Sequence, residues 1–179
     1  LDEDLSDVVN TVVGMTAQSV ARCLLTDQLR ADAERNERLA TFARRLANVG
    51  DVAQLCRAVV EDGGSTVGAA VANVGLVDDS GDRLVVNPNE FFDPSLRERF
   101  ADRRMTDPLP GVDAILQGEP VLLRTPQEAQ ERYPGRVADA MVEHGLVSSA
   151  HLPLLNAEGE AIGCIGFAWT YPQPFRPTK

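Results

Sequence analysis

Apolar residues recur every three or four positions over residues 2–24. Leu5, Val9, Val12, Val13, Thr16, Val20, Cys23 and Leu24 fall on one side of a helix. A stripe this broad predicts a helix packed against a wide surface. From Leu25 the spacing shifts to seven. Leu25, Asp32, Leu39 and Leu46 form one row, and Leu29, Asn36 and Ala43 a second, flanked by Arg30, Glu34, Arg35, Glu37 and Arg38. This is an imperfect heptad seam. Asp32 and Asn36 weaken it, yet a polar residue inside a seam can also set register in a parallel pair. Residues 1–47 hold no proline and one glycine, Gly14. The pattern predicts one long helix over 1–47, about 70 Å from end to end. Two ordinary helices breaking near Thr26-Asp27 are the alternative.

Beyond Gly50 the pattern changes. Asp51 can cap a helix over 51–63 with apolar positions Val52, Leu55, Cys56, Val59 and Val60, closed by Gly63-Gly64. Residues 69–78 read as a strand, 78–83 as a turn and 84–88 as the returning strand. The aspartates of that turn do not complete a calcium loop, because Arg83 and Asn89 stand where the loop needs Gly and Glu. Residues 88–118 are proline-rich and irregular, with short helices at 94–103 and 111–117, the second ended by Gly118. A short strand lies within 118–124. Thr125-Pro126 opens a helix to Arg132. After Tyr133-Pro134-Gly135 a further helix covers 136–144. Strands at 148–155 and 160–171 form a second hairpin around Asn156-Ala157-Glu158-Gly159. The two hairpins predict an antiparallel sheet in an α+β chain. The insert between the second and third strands is too long for a connector and reads as a lid or pocket wall.

Composition narrows the function classes. The 179 residues suffice for one domain and an appendage, and 44% hydrophobic with 25% charged residues is ordinary for a packed core. Seventeen basic residues against 27 acidic ones give a net charge of −10, which disfavours nucleic-acid and anionic-membrane partners. No apolar run reaches the ~18 residues of a membrane span. Residues 1–10 are acidic where a signal peptide would be basic. These features predict a soluble, cytoplasmic domain. Cys23, Cys56 and Cys164 form no CxxC pair and suit reduced, buried thiols. His144 and His151 lack metal-site spacing.

Ser149, Pro153, Leu154, Gly159, Ile162, Gly163, Gly166 and Phe167 carry a more specific signal in their order and spacing. With GEPVLLRTPQEAQERYP ahead of them, the run AMVEHGLVSSAHLPLLNAEGEAIGCIGFAWTYPQPF resembles the closing part of a GAF domain, a ligand-sensing module related to the PAS domain. The resemblance covers residues 38–175. It implies a GAF/PAS-like central antiparallel sheet of about five to six strands with helices on both faces and the long N-terminal helix outside it. Residues 48–175 would then be the GAF domain, 176–179 a tail and 1–47 a signalling and dimerisation helix. LDEDLSDVVNTVVGMTAQSVARCLLTDQL resembles the closing helix of an upstream GAF domain. The expectation is a piece of a longer signalling protein. Such domains serve histidine kinases, stage II sporulation E-like phosphatases, cyclic-nucleotide enzymes and transcription regulators. The resemblance implies a phosphatase or kinase output domain outside this chain.

The resemblance also places a pocket between one sheet face and the segments 88–118 and 125–145. Asn73, Asn87, His151 and Trp169 are the candidate contacts on the sheet. Phe91, Phe92, Met105, Leu116 and Tyr133 are candidates for lid and walls. Core packing of Trp169 and the two phenylalanines is the competing reading, as is a structural role for His151. No cysteine occurs in 57–163, which disfavours a bilin attached as in some relatives. Asn89-Glu90-Phe91 lacks the lysine of cyclic-nucleotide-binding relatives. The cysteines do not match those of the GAF-type enzyme that reduces free methionine sulfoxide. No catalytic cluster, metal site or cofactor is indicated. The expectation is a non-enzymatic sensor of an unidentified small molecule, paired as a homodimer through Leu25, Leu29, Asn36, Leu39 and Leu46. The rival is a structural dimerisation module with a filled core and no ligand.

Overall fold

Residues Glu3–Ala47 form one uninterrupted helix, α1, in the computed structural model, which describes residues 3–47, 50–86, 94–100 and 103–175, with side chains in α1 from Val13 to Arg44 except position 14. The break near Thr26 does not occur. Thr26 Oγ1 donates back to the Arg22 carbonyl at 2.8 Å, so its hydroxyl is satisfied within the helix. The described apolar side chains Val13, Val20, Leu24, Leu25, Leu29 and Leu39 are exposed, and so is Cys23. This corrects two expectations. The described part of the stripe ahead of Leu25, from Val13 to Leu24, is exposed, and Cys23 is not a buried thiol. The chain divides into two compact units, Leu1–Ala43 and Arg44–Lys179.

In the second unit, Asp51 caps α2 (Val52–Ala58), its carboxylate accepting from the Gln54 amide at 2.7 Å. The helix widens into a π turn at Val59–Gly63 and resumes as α3, Gly64–Thr66. Gly63-Gly64 does not stop it: both residues stay right-handed. A Cβ at Gly64 would lie 3.1 Å from Ala72 Cβ, so that glycine serves close approach to the sheet.

The sheet has five antiparallel strands in the order β2-β1-β5-β4-β3: β1 Val71–Val77, β2 Leu84–Val86, β3 Val121–Leu123, β4 Ser148–Leu155 and β5 Ala161–Trp169. Register assigns the faces. Asn73 pairs with Gly166 and Gly166 with His151, so these share one face with Val71, Cys164, Ala168 and Ser149. Ala72, Val74, Phe167 and Trp169 share the other. The α2–α3 segment packs on β1. Trp169 Nε1 donates to the Val67 carbonyl just beyond α3 at 3.0 Å, which places that segment on the second face.

Four helices accompany the first face: α4 (Pro94–Arg99), α5 (Pro110–Gln117), α6 (Pro126–Arg132) and α7 (Arg136–Glu143). Thr125 caps α6 and Gly118 ends α5 in the left-handed conformation, as the sequence pattern predicts. Val112, Ile115, Leu123, Ala138 and Met141 anchor the main core here. Each fully buried aliphatic side chain of this kind contributes about 1.5–3 kcal/mol. The helix expected over 94–103 is shorter. Beyond it, Arg103 and Met105 run beside the 82–84 segment: Leu84 N–H donates to the Arg103 carbonyl at 3.0 Å and Met105 N–H to the Asp82 carbonyl at 2.8 Å.

Candidate functional site

A cavity of about 120 Å³ lies between the first sheet face and helices α4, α5 and α7. One that size holds several waters or a small ring, since an apolar cavity of about 150 Å³ can hold benzene. Its walls are mainly aliphatic and aromatic, including Val71, Leu84, Leu96, Phe100, Leu109 and Met141. Four polar side chains join them: Asn73, Arg103, Ser149 and His151.

The sheet presents two of these as a pair. Asn73 and His151 flank Gly166 across three hydrogen-bonded strands. With no side chain on Gly166, the amide lies over the middle strand; a Cβ there would be 3.0 Å from Asn73 Oδ1. Gly111, at the start of α5, opens the cavity similarly: a Cβ would lie 2.9 Å from Cys164 Sγ and 3.9 Å from His151 Nδ1. His151 Nε2 and Ser149 Oγ are 3.3 Å apart. Among the described residues the Asn73 side chain has no hydrogen-bond partner.

Burial sets the protonation states. It pushes the His151 imidazole down to about 4, so the ring is neutral at pH 7. It pushes the Cys164 thiol up to about 11 and the Arg103 guanidinium down to about 10. Arg103 stays charged, held over the Phe100 ring at 5.5 Å. Outside the cavity, α4 is clasped to the end of α7 by the Arg99–Glu143 ion pair and by Ser95 Oγ, 3.4 Å from His144 Nε2.

Of the residues singled out in the sequence, Asn73 and His151 come together at the cavity. Four others do not line it. Leu116 is 66% exposed, because Val112 and Ile115 take the buried side of α5. Tyr133 is buried, but its hydroxyl donates to the Asp113 carboxylate at 2.6 Å and serves the joint between α5 and α6. Trp169 is 4% exposed and lies on the opposite sheet face, stacked edge-on with Phe175. Met105 packs against the main core without reaching the cavity. Asn87, Phe91 and Phe92 lie outside the described residues. Arg103, Gly111 and Ser149 were not anticipated. For Ser149 a signal existed, since it stands two residues before His151 on one strand.

A family model described as GAF domain matches residues 49–178. Among solved structures, the chain is similar to the GAF domain of a phosphoenolpyruvate-protein phosphotransferase from Coxiella burnetii: 15% identity, TM-score 0.65, 79% of this chain and 81% of that one covered. The corresponding domain from Acinetobacter gives 13% identity, a TM-score of 0.62 and coverage of 80% and 81%. A free methionine-R-sulfoxide reductase from Neisseria meningitidis, solved with its substrate, gives 17%, 0.59, 80% and 78%. At such identities the likeness is one of fold. No curated protein matches the chain in sequence.

Proposed function

The chain belongs to the GAF domain family, and on that premise we propose that residues 48–175 bind a small molecule and report it to an output domain elsewhere in a signalling protein. GAF domains are typically sensory or regulatory modules of such proteins. The observation that carries the proposal is the cavity beneath α4, α5 and α7, into which Asn73 and His151 converge from adjacent strands. An apolar chamber with a few directional polar groups suits reversible recognition. The rival, a dimerisation module with a filled core, leaves such a chamber without purpose.

The domain acts by binding rather than by chemistry. The one neutral histidine in the cavity faces no activated nucleophile, since burial holds the Cys164 thiol protonated. The activity of the Neisseria reductase is therefore not carried over. Two copies pair through α1, where Leu25 and Leu39 of one heptad row and Leu29 of the other, the row of Asn36, are exposed; the Leu46 side chain lies outside those described. Ligand-driven repacking of the cavity walls biases a two-state arrangement that the helices transmit to a kinase or phosphatase. The net charge of −10 suits a piece without nucleic-acid or anionic-membrane partners. Three free cysteines suit a reducing cytoplasm, and among the described residues no helix is long and apolar enough to cross a membrane.

A thermal-shift screen of metabolites, paired with native mass spectrometry of the purified protein, tests the ligand. A compound that raises Tm in proportion to the logarithm of its concentration is the expected result. No shift by any compound, with no extra mass bound, would favour the structural module.

A further inference from the structure

Among the described lining residues the cavity holds one charged group, which the pocket's general character does not require. Arg103 lines it between Phe100 and Leu109, and its guanidinium is close enough to feel the Cys164 thiol at the cavity floor. Among the described residues no carboxylate lies within ion-pair distance of it. Three described carboxylates on the neighbouring elements are engaged elsewhere. Asp107 pairs with Arg136 at 3.5 Å and accepts from the Arg104 amide, Asp113 accepts from Tyr133, and Glu143 pairs with Arg99. The other polar groups in the cavity carry no charge at pH 7: an amide, a hydroxyl and a neutral imidazole.

A cation turned toward an apolar chamber without a counter-ion is costly, and proteins resolve that cost by pairing the charge or hydrating it. Among the described residues none supplies the pairing group. Resting on the reading of this cavity as a ligand site, we infer that it takes a small organic monoanion, with a carboxylate on Arg103 and an apolar body among Val71, Leu84, Leu96 and Met141. One guanidinium offers a planar fork that matches one carboxylate. A dianion would find no second unpaired cation among the described lining residues. Asn73 and His151, across the cavity floor, then read a polar substituent at the other end of the ligand by hydrogen bonding.

Sodium benzoate serves as the probe, with benzamide and toluene as neutral controls of similar shape at matched ionic strength. Each is titrated calorimetrically into the 179-residue protein at pH 7. Benzoate is expected to bind at least about tenfold more tightly than benzamide, the margin of a charge-assisted hydrogen bond. Arg103→Gln removes that margin by weakening benzoate far more than benzamide, and Arg103→Lys keeps part of it. The comparison on the unaltered protein stands even if the variants fold poorly. Benzamide binding as tightly as benzoate, or an unchanged preference in a folded Arg103→Gln protein, overturns the anion assignment and leaves the ligand site standing. Silence toward all three probes overturns the anion assignment, while the ligand reading itself falls only if the metabolite screen is also silent.

Discussion

The Asn73 amide occupies the space that a side chain on Gly166 would need: a Cβ there would lie 2.7 Å from Asn73 Nδ2. Gly166 is thus a condition for one of the two polar contacts on the cavity floor. Gly166→Ala forces the amide aside and narrows the chamber. Overpacking of this kind costs about 1–3 kcal/mol. Urea unfolding at pH 7 should show that loss, and a variant as stable as the parent would mean that Asn73 swings away freely. Gly163 is stricter, because a Cβ there would meet the Gly75 carbonyl oxygen, which is backbone and cannot rotate out.

The burial of His151 couples stability to pH. The unfolded chain takes up a proton on this residue near pH 6.5, the folded chain only near 4. Its contribution is complete above pH 6.5 and is lost as the pH falls from 6.5 toward 4, by at most on the order of 3 kcal/mol. His151→Gln should remove this part of the acid sensitivity while leaving that of the carboxylates. Chemical unfolding at pH 7 and pH 4.5 on both proteins measures it. Equal losses in the two would show that the ring is solvated.

The elements were legible because they rest on local pattern, and the pocket's location because the resemblance to a GAF domain implied it. Small and branched side chains between turn residues mark the first strand, Thr125 and Gly118 mark helix ends, and the long insert marks a wall. Asn73 stood out as an amide inside a run of Val, Ala and Gly. The rest depends on non-local registration. Trp169 and Gly166 lie on one strand, and only the pairing of Gly166 with Asn73 and His151 shows which parity faces the cavity. Arg103 sits in an irregular segment among many arginines. Its place comes from its own carbonyl accepting from Leu84 N–H and from Met105 N–H donating to Asp82, about twenty residues back. Leu116 and Ile115 are equally apolar neighbours on α5, and only tertiary packing decides which one is covered.

The three thiols should separate cleanly by alkylation. Cys23 is exposed, whereas Cys56 and Cys164 are buried. Burial also lifts the Cys164 thiol to about 11, so about one in a thousand is ionised at pH 8. Iodoacetamide on the native protein is expected to label Cys23 alone, with the other two modified only in urea. Peptide mass mapping reads the outcome, and fast native labelling of Cys164 would contradict the closed floor.

Pairing through α1 is tested by charge. Leu25 and Leu29 are 59% and 61% exposed and stand four residues apart on one helix face. The double variant Leu25→Glu, Leu29→Glu places like charges in the proposed seam. Light scattering should then fall from about twice the chain mass of 19.3 kDa to the single-chain value. A parent protein that already scatters as a monomer at micromolar concentration would remove α1 as a dimer seam.

Tyr133 separates packing from recognition. Its hydroxyl is buried between α5 and α6, donates to Asp113 at 2.6 Å, and has its pKa pushed up to about 12, by burial first and by that bond second. Tyr133→Phe leaves the ring in the core but deprives the Asp113 carboxylate of its donor, a loss of about 1–2 kcal/mol. Tyr133 does not line the cavity. Benzoate affinity should therefore stay within about twofold of the parent, well under the tenfold that one lost polar contact implies. Paired measurements of urea midpoint and benzoate affinity decide between the two roles. A stable variant that binds benzoate tenfold more weakly would make Tyr133 a wall of the site, as the resemblance to a GAF domain implied.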